Sequence, residues 1–313
     1  MVEKRKYNDL KHGEFFLPEE LDNIDFPDIP PHIKLLNPQV MWEKGITGEG
    51  VKVAIIDSGC DINNPLLKGK ISHICNLTRD DDGDRANVTD YSGHGTHVAS
   101  IIASDNYNDL VVGIAPNVKL MIYKVIEKDG QARYENIARA IYAAIQSGAD
   151  ILNISLGGSQ EAPQIHEAIK SAIKMNVCVV VAAGNGGNGE SDLSGLWFPS
   201  CYPESIQVGS IGSNKKASKF TTTNHFTDCV AVGEKVLGLS QEGGFEVLNG
   251  TSQAAPIVSA SLALLKEWAK KEFKRDPSES ELYSLLIKNT KTIKGVSRNA
   301  QGKGYVVFNK NTL

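Results

Sequence analysis

The stretch Val51-Lys52-Val53-Ala54-Ile55-Ile56-Asp57-Ser58-Gly59 decides the fold class. Its apolar, β-branched run predicts a buried strand, and Gly59 lets the chain turn sharply behind it. Outward from this strand, further strand patterns fall on Lys119–Val125, Ile151–Ser155, Val177–Ala182 and Ser205–Val208. Helical patterns fall on His94–Ser104, Tyr134–Ser147, Pro163–Lys174 and Thr251–Lys271. Asp276-Pro277-Ser278-Glu279 reads as N-cap, first-turn Pro and N3 Glu, and predicts a last helix near Ser278–Lys288. Strands alternating with helices imply an α/β fold, a mostly parallel sheet with helices on both faces. Chemistry in such sheets gathers beyond the carboxyl ends of strands, where Asp57 stands.

The composition narrows the function classes. The chain has 313 residues, 41% hydrophobic and 22% charged, which excludes a largely disordered protein. Net charge is −4 and no Lys/Arg block stands out, so nucleic acid is not an expected partner. The longest apolar stretch, Val177–Ala183, falls far short of the ~20 residues a membrane helix needs. No apolar run follows Met1–Lys6, so no secretory signal is expected. With five cysteines, an odd count, this favours free thiols and a cytoplasmic protein. Residues 1–30 differ from the rest, with alternating charge, Phe15 and Phe16, and Pro18, Pro27 and Pro30. They read as an extended arm laid on a single domain over 31–313.

Three short motifs stand at element ends. Asp57 closes the first strand, although a turn Asp is a common alternative. His94 lies in Ser92-Gly93-His94-Gly95-Thr96-His97. Two His three apart raise a metal site, but no Glu at helical spacing and no Cys pair supports one, so no metal ligand is expected. His97 reads as a packed histidine at the helix start. Ser252 lies in Asn249-Gly250-Thr251-Ser252-Gln253-Ala254-Ala255-Pro256, opening an apolar helix. The helix macrodipole and free N–H groups there favour developing negative charge. Alone, Ser252 would read as a plain N-cap. Together the three residues mean more. A Ser hydroxyl needs a base, His is the natural one, and a buried Asp orients it. Gly184-x-Gly186-x-x-Gly189 follows a strand as a dinucleotide fingerprint does. The stretch from Asn188 to Pro199 has no helical period, which argues against nucleotide binding.

Asp57-Ser58-Gly59, His94-Gly95-Thr96-His97-Val98-Ala99 and Gly250-Thr251-Ser252-x-Ala254-Ala255-Pro256, in that order, resemble the signature motifs of the subtilisin-like serine proteases. The resemblance runs from about residue 35 to about 310 and includes Gly113-Ile114-Ala115-Pro116 and Ala182-Ala183-Gly184-Asn185. Pro31-x-Ile33-Lys34, Ser58-Gly59-Cys60-Asp61 and Gly304-Tyr305 are similar to the bacterial intracellular subtilisins.

The resemblance implies a serine endopeptidase with a single catalytic domain, acting through an acyl-enzyme on the triad Asp57, His94 and Ser252. It implies that Asn185 donates to the oxyanion together with the Ser252 N–H. It implies that Ser155, Leu156, Gly157 and Gly158 pair with substrate as an added strand; taken alone they could be a strand end with a turn. The family places a small residue before a Tyr-Pro pair at the base of the primary pocket. Aligning Phe198-Pro199 with that pair puts Trp197 there, and a shifted alignment puts Gly195 or Leu196 there instead. An indole at the base would favour small or medium P1 residues over Phe or Tyr.

The expected function is intracellular protein turnover. The alternative is a dedicated maturation protease that cleaves leader or precursor peptides. Expected partners are protein or peptide substrates, with no membrane, and a homodimer is left open. No cofactor is required for the chemistry. The family's tight calcium site falls on Leu66 and Tyr107, which lack charged oxygens, so it is expected to be absent or weak. Structural calcium elsewhere is left open, although Asp80-Asp81-Asp82-Gly83-Asp84 reads rather as a solvated loop. Phe16-Leu17-Pro18-Glu19 is the nearest match to an inhibitory Leu-Ile-Pro-Tyr motif of intracellular subtilisins, which implies an inhibitory arm. Gln253, Ile257 and Ala260 depart from the family's Met, His and Gly.

Overall fold

A computed structural model describes residues 29–107, 109–188 and 193–310. Most of the arm, including Phe16-Leu17-Pro18-Glu19, lies outside the described residues, as does Gly189. Helices α1 (Pro31–Leu36) and α2 (Gln39–Trp42) lead into β1 (Lys52–Asp57). Then come β2 (Ile71–Asn76), α3 (His94–Ala103), β3 (Lys119–Lys124), α4 (Tyr134–Gln146), β4 (Ile151–Ile154), α5 (Pro163–Lys174) and β5 (Cys178–Ala182). The second half comprises β6 (Ile206–Ile211), β7 (Thr227–Val232), β8 (Val236–Leu239), β9 (Phe245–Leu248), α6 (Thr251–Phe273) and α7 (Glu279–Lys288). The short β10 (Thr290–Lys291), α8 (Arg298–Gln301) and β11 (Tyr305–Val306) close it.

Nine strands form one sheet in the order β10-β11-β7-β6-β5-β4-β1-β3-β2. It is parallel throughout except for the antiparallel pair β10–β11. Strands β8 and β9 form a separate antiparallel hairpin. The period of two along a strand assigns every side chain to a face. Val53 and Ile55 pack into one core with Ile101 and Ile102 of α3 and Leu262 and Leu264 of α6. Ala54 and Ile56 pack into the other with Ile137 and Ile141 of α4 and Ile165 and Ile169 of α5. The same parity sends Asp57 toward α3 and α6, the helices that carry His94 and Ser252. On β4 it sends Asn153 the same way, where Asn153 Oδ1 accepts from Ser259 Oγ of α6 at 2.8 Å.

The expected strands and helices are present, with ends unchanged or shifted by up to three residues. Strands β2 and β7–β9 carry weak signals. β2 is half-exposed, and β7 contains Asp228, whose carboxylate accepts from Gln207 N at 2.8 Å and Tyr283 Oη at 2.7 Å. The cap of α7 corrects the expectation. Ser278, not Asp276, is the N-cap: its hydroxyl accepts from Glu281 N and its N–H donates to the Glu281 carboxylate. Asp276 instead pairs with Lys270 at 2.9 Å. All five cysteines are buried and free. Among the described residues, no helix is long and apolar enough to cross a membrane.

One buried carboxylate ties the segment before β1 to α6. Glu267 Oε2 accepts from the backbone N–H groups of Thr47 at 2.7 Å, Gly48 at 2.6 Å and Glu49 at 3.0 Å. Its Oε1 meets Lys271 Nζ at 2.6 Å. Glu267→Ala strands these donors and should cost about 2–4 kcal/mol. Urea unfolding in a Ser252→Ala background, which prevents self-digestion, measures it; an unchanged midpoint refutes it.

Candidate active site

Asp57 is fully buried at the end of β1. His94 is the first residue of α3, and its Nδ1 lies 2.7 Å from Asp57 Oδ1. The close approach of these two segments needs glycine, since a Cβ on Gly95 would collide with the Gly59 carbonyl. Burial opposes a charged imidazole, but the Asp57 charge and hydrogen bond outweigh it, with Asp90 and Glu246 adding to them. The net effect raises the His94 pKa above its ordinary value. His97, one turn on, is a different histidine. Its ring is buried, and burial lowers its pKa to about 3. Its Nε2–H is spent on backbone carbonyls, at 3.1 Å from Val236 O and 3.3 Å from Glu246 O. Its Nδ1 has no partner among the described residues.

Ser252 is the second residue of α6. Its hydroxyl donates to Ser155 O at 2.9 Å, and Ser155 Oγ donates back to Ser252 O at 3.1 Å. The sequence reading set His94 beside Ser252 as its base, whereas here the serine proton is held by the β4 end. That proton must leave Ser155 O before it can reach His94. Such bonds are often completed only when substrate is bound.

Asn185 follows β5. Its Oδ1 accepts from Thr251 N at 2.9 Å and Thr251 Oγ1 at 3.0 Å, and Thr251 Oγ1 accepts from Gly184 N at 3.1 Å. These bonds fix the orientation of the amide and leave its two Nδ2 protons to face outward. The Ser252 N–H, at the open start of α6, makes no hydrogen bond to a described residue.

The segment Ser155–Gly158 continues β4. Gly158 corrects the expectation that all of it is open to a substrate strand. Gly158 N donates to Phe198 O at 2.8 Å and Phe198 N donates to Gly158 O at 2.7 Å. Leu156 and Gly157 keep their backbone groups unbonded among the described residues. Trp197, before the cis Phe198-Pro199 bond, stands between the ends of β4 and β5. A Cβ on Gly157 would come within 2.5 Å of Trp197 Nε1, and one on Gly184 within 2.5 Å of Trp197 Cγ. The indole therefore fills the slot between the two glycines.

At the two positions aligned with the family's calcium site the structure places Leu66 and Tyr107. The Leu66 side chain is apolar and packs against the core. The Tyr107 ring lies 5.2 Å from Phe245. Asp105, whose N–H donates to Leu66 O at 2.8 Å, pairs with Lys70 Nζ at 2.6 Å. The acidic run at 80–84 differs from a solvated loop, since Asp80 meets the buried Lys124 at 3.3 Å and Asp81 meets Lys128 at 3.1 Å.

Comparison with known proteins identifies the family. Residues 48–305 match the model of the Subtilase family. The chain is 42% identical over 277 residues to "Intracellular serine protease" of Paenibacillus polymyxa, covering 88% of this chain and 84% of that protein. It is 39% identical over 284 residues to "Major intracellular serine protease" of Bacillus subtilis strain 168, covering 90% and 89%. To "Subtilisin E" of the same strain it is 33% identical over 239 residues, covering 76% and 61%. The chain therefore belongs to the subtilase family and is a serine endopeptidase.

Proposed function

We propose that this chain is a cytoplasmic endopeptidase of protein turnover, acting through an acyl-enzyme on Ser252. One observation supports the reading: Asp57 with His94 bonded to it, Ser155 with Ser252 bonded to it, and Asn185 stand at or just beyond the carboxyl ends of the neighbouring parallel strands β1, β4 and β5. In the reaction, Ser252 Oγ leaves Ser155 O, passes its proton to His94 Nε2 and attacks the scissile carbonyl. His94 returns that proton to the leaving amine. Asp57 holds the imidazole in its working tautomer and stabilises the imidazolium. The oxyanion lies against Asn185 Nδ2 and the Ser252 N–H. Leu156 and Gly157 offer their free backbone to the substrate strand. Residues 31–313 are the peptidase domain in this reading, residues 1–30 an inhibitory arm. The chemistry needs no cofactor. The relatives' names favour general proteolysis over dedicated maturation. A fluorophosphonate should label Ser252, located by peptide mass spectrometry; labelling elsewhere, or none, refutes the reading. Unfolded casein against a short leader peptide separates turnover from maturation.

Trp197 sets the substrate class in the same reading. The slot between Gly157 and Gly184 is the place for a P1 side chain, and the indole occupies it. Small and medium P1 residues should therefore be preferred. Trp197→Gly should raise the Phe-over-Ala preference in kcat/KM by about 10–100-fold. Peptides varied only at P1 measure it. A wild type that already prefers Phe, with no change on substitution, places Trp197 outside the pocket's action.

A further inference from the structure

Asp90 is 4% exposed and carries a carboxylate that the triad does not use. Its Oδ1 accepts from Gly93 N at 2.9 Å, from Ser92 N and Oγ each at 3.2 Å, and from Ser58 Oγ at 2.8 Å. Its Oδ2 accepts from Thr96 N at 2.8 Å and Thr96 Oγ1 at 2.7 Å. The N-cap residue of α3 is Gly93, which has no side chain to cap with. Asp90 supplies the missing cap, with its charge at the positive end of the helix. His94 is the first residue of that helix.

Ser58 connects this cap to Asp57. Its hydroxyl has one proton to give. Ser58 Oγ lies 2.8 Å from Asp90 Oδ1 and 3.2 Å from Asp57 Oδ1, while Gly95 N donates to it at 2.9 Å. The shorter contact directs the proton to Asp90. Asp57 Oδ1, which meets His94 Nδ1 at 2.7 Å, is then spared a competing hydroxyl donor. From the other side Lys124 Nζ, itself buried, holds the Ser58 carbonyl at 2.9 Å.

We propose that Asp90 is a positioning residue for the catalytic pair: it anchors the start of α3 at His94 and draws the Ser58 hydroxyl away from Asp57. This rests on the roles proposed above for Asp57 and His94. The groups facing His94 are Asp57 from β1, Asp90 from the loop before α3, Glu246 from β9 and His97 from α3 itself. Burial opposes charging the His94 ring and these carboxylates favour it. Removing one therefore lowers the His94 pKa and moves the acid limb of the pH profile down.

The test uses the full chain, with active sites counted by a fluorophosphonate and peptide hydrolysis followed against pH. Asp90→Asn should lower kcat per titrated site by about 10–100-fold and leave KM within about threefold. It should also shift the acid limb of kcat/KM to lower pH. A role in stability alone would lower the unfolding midpoint and leave both readouts unmoved. Wild-type kcat per site with an unmoved acid limb overturns the proposal. Should Asp90→Asn fail to fold, Thr96→Val decides, since it removes the hydroxyl that holds Asp90 Oδ2 to the start of α3: a severalfold loss of kcat per site at constant KM supports the proposal, and wild-type kcat per site overturns it. Failure of the catalytic reading itself would show separately, as wild-type Ser252 left unlabelled.

Discussion

Replacing Ser252 with Ala should remove about 10⁶-fold of kcat, the scale known for subtilisin itself. The size follows from how the residues act together. In the proposed mechanism, without the hydroxyl there is no acyl-enzyme, and the Asp57–His94 pair has no nucleophile to activate. What remains is the oxyanion donors and substrate binding, worth about 10³–10⁴ over water. Loss of the Ser252–Ser155 bond should change stability little, because the serine is half-buried at a helix start. A folded Ser252→Ala protein with wild-type peptidase activity would refute the assignment. Unfolding midpoints run in parallel separate loss of chemistry from loss of fold.

Asn185→Ala should lower kcat by about 10²–10³-fold with KM little changed, again the scale known for subtilisin. In the proposed role the donor acts where charge develops, so its loss should be felt in the transition state rather than in the bound substrate. Thr251 fixes the amide before substrate arrives, so the amide itself need not reorient. A rise in KM at constant kcat would instead make Asn185 a ground-state binding contact. Steady-state kinetics on one peptide amide distinguish the two.

Much of this site is legible along the chain because its parts lie at element ends. Asp57 shares the parity of Val53 and Ile55, so a period-two reading already sends it to one face. His94 and Ser252 each open a helix, and small residues beside both permit close approach. Contacts between distant segments are not legible. The slot filled by Trp197 is made by Gly157 and Gly184, and nothing in the local sequence of any of the three reports the other two. Asp90 is similar, because its partners at Ser58 and Thr96 come from both sides of the β1–α3 junction. The same limit explains Gly158, whose backbone looks open until Phe198 is seen beside it. It also explains the cap of α7, where two overlapping signals compete and only the helix geometry selects Ser278.

The five thiols are buried in the cores, Cys178 and Cys229 completely. Burial raises the pKa of Cys60, Cys178 and Cys229, holding them as unreactive thiols. An alkylating reagent can reach them only when the surrounding structure opens, so its rate of uptake is a clock for that opening. Mapping which cysteine is modified first would rank the regions of the domain by how readily each lets go.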